Sequence, residues 1–156
     1  MSEPQLASPS LLRRFAAMFY DSWLVFALLL ACVGLMMLIK GLATGSFTVP
    51  QGERFISGLW RIPTFILMVF ALSHFFVYFW IKNGQTLGMQ TWRIRIDNTH
   101  HQRISLKQAY IRLGMATLAL ACGGLGYLWM YIDKDRLTWQ DRVSGSRLVL
   151  LPKAGK

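Results

Sequence analysis

Two charged residues stand at the head of a long apolar run. Arg14 precedes it and Asp21 interrupts it, seven residues later. Seven helical steps of about 100° bring both onto one face, with a rise of about 10 Å between them. The Arg side chain points back toward the helix N-terminus, so a direct bond within the helix is not expected. An Asp in hydrocarbon costs up to about 3 kcal/mol at the bilayer centre on insertion scales and must face protein or water. The candidate partners for Asp21 are Arg112, which leads into a later apolar run, or Arg14 of a neighbouring copy. Two readings stand. Burial raises a lone carboxylate's pKa and a nearby cation lowers it, so the partner decides whether Asp21 can exchange a proton or a cation. The same charges could instead form a buried Asp–Arg latch that fixes helix packing.

Other polar residues carry weaker signals. His74, Tyr78 and Lys82 are spaced by four, either a polar stripe toward an ion path or a packed His among aromatics. His100 and His101 fall in a predicted turn with no further ligands around them, so no metal is expected. Asp133, Asp135 and Asp141 alternate with Lys134, Arg136 and Arg142, as in a solvated, salt-bridged rim. Gly84 and Gly88 have the spacing of a helix-contact pair, but their polar neighbours favour a turn. Cys32 and Cys122 each lie inside an apolar run and read as buried structural thiols, without a disulfide. There is no Gly-x-Ser-x-Gly, no His-Glu-x-x-His and no phosphate loop, so neither an enzyme nor a bound cofactor is expected.

The elements that position these residues follow from composition. The chain has 156 residues, enough for one domain, with 54% apolar and aromatic residues and only 15% charged. That excludes a disordered chain, a coiled coil and a disulfide scaffold, and points to a small polytopic membrane protein. Three apolar segments stand out, at 15–39, 62–81 and 106–132. Twenty helical residues rise about 30 Å, the thickness of the hydrocarbon core, and backbone in that core must satisfy its own polar groups. The third segment contains Cys122-Gly123-Gly124-Leu125-Gly126, which weakens a helix. Leu106 to Ala121 is then one helix and Leu125 to Ile132 a short returning one.

Charge supports the break. The net charge is +10, and the seventeen Lys and Arg lie mostly between apolar runs. Three full spans would divide them eight against nine, whereas a third segment that turns back divides them fourteen against three. The positive-inside rule favours the second arrangement, with both termini cytoplasmic in a multi-pass protein of the cell (inner) membrane. Arg13 and Arg14 before an apolar run, with Leu29-Leu30-Ala31-Cys32, have some look of a lipoprotein signal. Asp21 interrupts that run and apolar residues continue past the cysteine, so an uncleaved N-terminus is expected. Anionic lipid headgroups, not nucleic acid, are the expected partner of the basic surface. Trp92-Arg93-Ile94-Arg95-Ile96-Asp97 alternates like a strand, and Arg147-Leu148-Val149-Leu150-Leu151 is its candidate partner. A lone strand is not stable, so the two should pair on one side of the membrane.

The order of these features closely resembles the RDD family of integral membrane proteins, over roughly residues 11 to 150. The chain runs from Arg13-Arg14-Phe-Ala-Ala-Met-Phe-Tyr-Asp21 through Gly84-Gln85-Thr86-Leu87-Gly88, the alternating strand, Arg112 and Asp133-Lys134. It ends on Thr138-Trp139-Gln140-Asp141-Arg142-Val143-Ser144-Gly145-Ser146. The resemblance implies that Arg14, Asp21 and Asp141 are the family's Arg and two Asp, and that the function is transport, with cation/proton exchange one proposal. The sequence departs from the family pattern at Met89, where a basic residue is frequent, at Gln140, where a His is frequent, and at Ser144-Gly145-Ser146. No proton relay through that His is available to this chain.

The expected fold is an all-α membrane protein. It has two transmembrane helices, a third broken or re-entrant apolar helical segment and a small cytoplasmic β element. A tail at 1–12 and another at 151–156 flank an RDD-type membrane domain at 13–150. Arg14, Asp21, Arg112 and Asp141 are the expected ion-coupling residues, with His74 a further candidate. A bundle this small needs a homo-oligomer or a membrane partner protein to enclose a path. The alternative function is a non-transporting scaffold or accessory subunit whose basic face binds lipid or a partner.

Overall fold

The computed structural model describes residues 7–48, 56–98 and 102–152. His100 and His101 lie outside the described residues. The structure is mostly helical: α1 is Leu11–Thr44, α2 Arg61–Asn83, α3 Leu87–Thr91, α4 Leu106–Ala121, α5 Leu125–Leu128 and α6 Trp139–Ser144. Two strands, β1 at Ile94–Asn98 and β2 at Ser146–Leu150, complete it. α1 and α2 are long and apolar enough to cross a membrane, and most of their large side chains face outward, among them Trp23, Phe26, Leu30, Phe65 and Phe70. In water such surfaces would be unfavourable; in a bilayer they are the face the solvent requires.

The chain forms two compact units. One is Ser22–His74; the other joins the stretch through Asp21 to Phe75 and everything after it. In the first, a short 3-10 turn at Gly58–Trp60 leads into α2, and Thr64 caps its own turn by donating to Trp60 O at 2.6 Å.

In the second unit the expected strand pair is present. β1 and β2 are antiparallel, with Ile94 opposite Leu150 and Asp97 opposite Arg147. Alternation places Ile94, Ile96 and Val149 inward, where they are almost wholly buried with Val77, Trp80, Met89, Ile104 and Ala109. Outside this face, Arg95 clasps Asp97 through two hydrogen bonds of 2.7 and 2.9 Å. Leu150 N–H donates to Ala7 O and Leu151 N–H to Arg93 O, both at 2.8 Å, so the N-terminal stretch lies along the same small sheet. Gly84 ends α2 in a left-handed turn (φ 70°), and its carbonyl accepts from Ile96 N–H at 2.8 Å.

The third apolar segment breaks where the glycines predicted. α4 begins at a capping box in which Ser105 and Gln108 bond each other's backbone N–H. It ends at Cys122, and α5 with its 3-10 continuation through Tyr131 turns away by 108°. Gly123 and Gly124 make that turn with φ of 67° and 83°. Cys32 is buried as expected, but Cys122 is exposed, because it sits at the outer end of α4 where the chain bends. α1 also extends beyond the apolar segment 15–39 at both ends, through residues 11–14 and, across Gly41, 40–44.

The bend supplies a test. A side chain at a left-handed glycine costs about 1–2 kcal/mol. Gly124→Ala should lower unfolding stability in detergent by that order. Gly114→Ala, in mid-α4 with nothing within 4 Å of the new Cβ, should instead gain up to about 1 kcal/mol of helix propensity. Thermal unfolding of both variants checks the pair.

Candidate functional site

Three of the expected residues meet. Arg14 on α1, Arg112 on α4 and Asp141 on α6 form one cluster, with relative exposures of 3%, 4% and 0%. Arg14 Nη1 donates to Asp141 Oδ2 at 2.8 Å, and Arg112 Nη1 to Asp141 Oδ1 at 2.7 Å. Thr138, just before α6, adds its N–H at 3.1 Å and its hydroxyl at 2.7 Å to Oδ2. Asp141 thus closes the first turn of its own helix while it binds two others, and an acid in that turn also suits the helix dipole.

One carboxylate faces two guanidinium groups, so neutral acceptors take up the remaining donors. Arg14 Nε reaches Pro9 O at 3.3 Å and Nη2 reaches Ser8 Oγ at 3.0 Å. Arg112 Nη1 also reaches Ser146 Oγ at 2.7 Å, and its guanidinium carbon lies 5.8 Å from the centre of the Trp80 ring. Full burial pushes the Asp141 carboxyl up, but the two guanidinium charges and the hydrogen bonds from Arg14 and Thr138 outweigh it and hold the pKa below the usual carboxylate range.

Asp21 is not part of this cluster. The expected partner Arg112 does not reach it, because Arg112 is spent on Asp141. Asp21 is 5% exposed and sits against α3. Its Oδ2 accepts from Thr86 Oγ1 at 2.5 Å, and its Oδ1 from Gly88 N–H at 2.9 Å. Thr86 in turn accepts from Met89 N–H at 3.2 Å, as the N-cap of α3. At Gly88 an added Cβ would collide with Ala17 O and stand 2.8 Å from Asp21 Cγ. Gly88 is therefore a close-contact glycine and not a turn glycine, whereas Gly84 is the turn.

The remaining candidates lie apart. His74 belongs to the Ser22–His74 unit, is exposed and stacks on Phe70 with centroids 6.0 Å apart. Tyr78 and Lys82 pair with each other at 2.8 Å. Arg142 bridges Asp133 and Asp135, as expected of a rim. Gln140 is 3% exposed, and its side-chain oxygen has no hydrogen-bond partner among the described residues. Among those residues no group of three or more His, Cys, Asp or Glu gathers to hold a metal. Sequence reasoning quoted Thr86 and Gly88 but assigned them no role. The signal was available: a hydroxyl two residues before a glycine, in a segment polar enough to leave the membrane.

A model of the RDD family matches residues 8–145. The chain belongs to the RDD family. It is a membrane protein, with apolar helices of spanning length. Comparison with curated proteins and with solved structures finds no match. In this RDD protein the Arg14 and Asp141 that the resemblance singled out are direct partners, and Asp21 is the separate member of the three.

Removing one partner of a buried ion pair costs about 3–5 kcal/mol, because the other charge stays buried and uncompensated. Asp141→Asn should lose stability of that order at neutral pH. The sign with pH follows from the lowered pKa. The contribution is present above about pH 4, the unfolded value, and is lost as pH falls through the folded value below it. Unfolding of the wild type should therefore show no loss from this group between pH 8 and 5. The gap to Asp141→Asn should close only in stronger acid. A gap that closes near neutrality would contradict the assignment.

Proposed function

We propose that this RDD protein is a non-enzymatic transporter that couples a cation to a proton at Asp21, with Arg14, Asp141 and Arg112 as the lock that holds the helices around it. One observation carries this reading. Of the three buried aspartates, Asp97 is clasped by Arg95 and Asp141 is held by two arginines, whereas Asp21 is held by a neutral hydroxyl and a backbone N–H. A carboxylate fixed between two cations cannot give up its charge in a cycle. A carboxylate with neutral partners can take a proton or a cation, and Thr86 Oγ1 stands beside it as a further oxygen.

The reading extends to topology. The protein is a multi-pass protein of the inner membrane, with both termini and the sheet cytoplasmic. The support is the charge count together with the bond from Leu150 to Ala7, which places both ends of the domain at one sheet. Two spanning helices enclose little by themselves, so the path forms in a homo-oligomer or against a membrane partner. The second reading is a scaffold or accessory subunit, favoured by the net charge of +10, which suits anionic headgroups or an acidic partner.

The test is cation-dependent collapse of a pH gradient in liposomes holding the purified protein. Wild type should exchange with at least one of Na⁺, K⁺ or Li⁺. Asp21→Asn, which keeps the size of the side chain, should lose at least about tenfold of that flux with an unchanged elution profile. Thr86→Ser, which keeps the hydroxyl, should retain it. Exchange that persists in Asp21→Asn sinks the role of Asp21. No exchange by a folded wild type, with all three cations, turns the reading to the scaffold.

A further inference from the structure

We propose that α4 lies in the plane of the membrane, with one face in the lipid interface and α6 on its watery side, and that it neither crosses the bilayer nor dips into it. The argument does not depend on whether Asp21 titrates. It starts from the two faces of α4. Leu106, Tyr110, Gly114, Leu118 and Ala121 are all exposed and follow one stripe of the helix. None carries a charge. On the opposite side Ala109, Arg112 and Ala119 are buried.

α6 covers that opposite side and runs against α4. Gln108 Nε2 donates to Gly145 O at 3.2 Å, Arg112 binds Asp141, and Trp139 packs with Ala119 and Gly126 at the far end. The outer side of α6 carries charge beside exposed Val143. Arg142 is exposed there and bridges Asp133 and Asp135, next to exposed Lys134 and Arg136. Exposed Arg103 and Lys107 flank the other end of the pair.

Water-facing charge therefore lies on the α6 side, at Asp133 to Arg136 and Arg142, while the stripe of α4 is uncharged beyond Lys107 in its first turn. α4 has 16 residues, a length of about 24 Å. If it stood upright as a span, Arg142 and its partners would lie midway, in hydrocarbon. If it dipped in and turned back at the glycines, Asp133 to Arg136, beside the bend, would be the most deeply placed charges. Either costs several kcal/mol for exposed, hydrated groups. Lying flat, the stripe meets lipid, Lys107 reaches the headgroups and the charges on the α6 side meet water, the disposition of an interfacial helix.

The partner is the interface of a phospholipid bilayer, with Arg103 and Lys107 beside the stripe suited to anionic headgroups.

The test is depth. Single cysteines replace Leu106, Tyr110, Leu118 and Lys134 in a Cys32→Ala, Cys122→Ser background. Each carries a nitroxide in vesicles of mixed neutral and anionic phospholipid, and collision with oxygen and with a water-soluble nickel chelate gives its depth. In-plane placement predicts that Leu106, Tyr110 and Leu118 share one shallow depth within about 5 Å, and that Lys134 is open to the chelate. A depth that changes steadily by about 18 Å from Leu106 to Leu118 overturns it. If the background variant does not fold, the label goes on native Cys122, which is exposed where Cys32 is buried. A shallow Cys122 supports the proposal and one near the bilayer centre overturns it.

Discussion

The fold of the larger unit depends on a single buried carboxylate. Asp141 has no exposed surface, and it joins three helices whose residues are separated by as much as 127 positions in sequence. No hydrophobic contact could fix the same arrangement as sharply, because apolar packing is not directional whereas a carboxylate has two oxygens and each guanidinium a planar fork. The cluster carries one charge too many for its own neutrality. It is eased by oxygens of Pro9, Ser8 and Ser146 that take up further donors, and by the Trp80 ring beside Arg112. Those residues come from the N-terminal stretch, from β2 and from α2. The cluster thus recruits the sheet and both ends of the domain as its outer shell.

This arrangement separates two acidic residues that look alike in the sequence. Asp21 and Asp141 are both buried, yet one neutralises arginines and the other caps a short helix with neutral donors. The separation needs close approach. Gly88 lets α3 press against the backbone of α1 at Ala17, so its N–H reaches Asp21 without an intervening side chain. The lock at Arg14 and the packing of Ala17 against Gly88 together fix the height of Asp21 relative to α3. The two sites are therefore distinct in chemistry and linked through the seven positions from Arg14 to Asp21 on one helix.

Much of the fold was legible in the sequence because its signals are local. Twenty uncharged apolar residues mean a spanning helix, alternation in Trp92 to Asp97 means a strand, and glycines at 123 and 124 mean a break. The site was legible in its membership but not in its pairing. Arg112 was matched to Asp21 because each was the obvious opposite charge in an apolar setting. What decides the pairing is the register of α6 against α4, set by Gln108 with Gly145 and by the packing of Trp139 on Ala119 and Gly126, and none of this has a local sequence signature. Thr86 escaped for a related reason: a threonine in a polar turn is unremarkable until its hydroxyl is found on a buried acid.

The positions of the charges along α1 carry one further step. The helix has 34 residues, about 51 Å, which exceeds the hydrocarbon core by about 20 Å. The excess is not spread evenly. Asp21 and Lys40 bracket the uncharged stretch, and Arg13 and Arg14 lie in the part before it, where Ala17 and Arg14 are buried by protein. In those first ten residues one face, Leu11, Arg14 and Ala17, is covered by the chain's own later elements, while most of the next eighteen are uncharged side chains that face outward. A helix divided in this way hands its charged end to a protein-lined environment at the membrane edge.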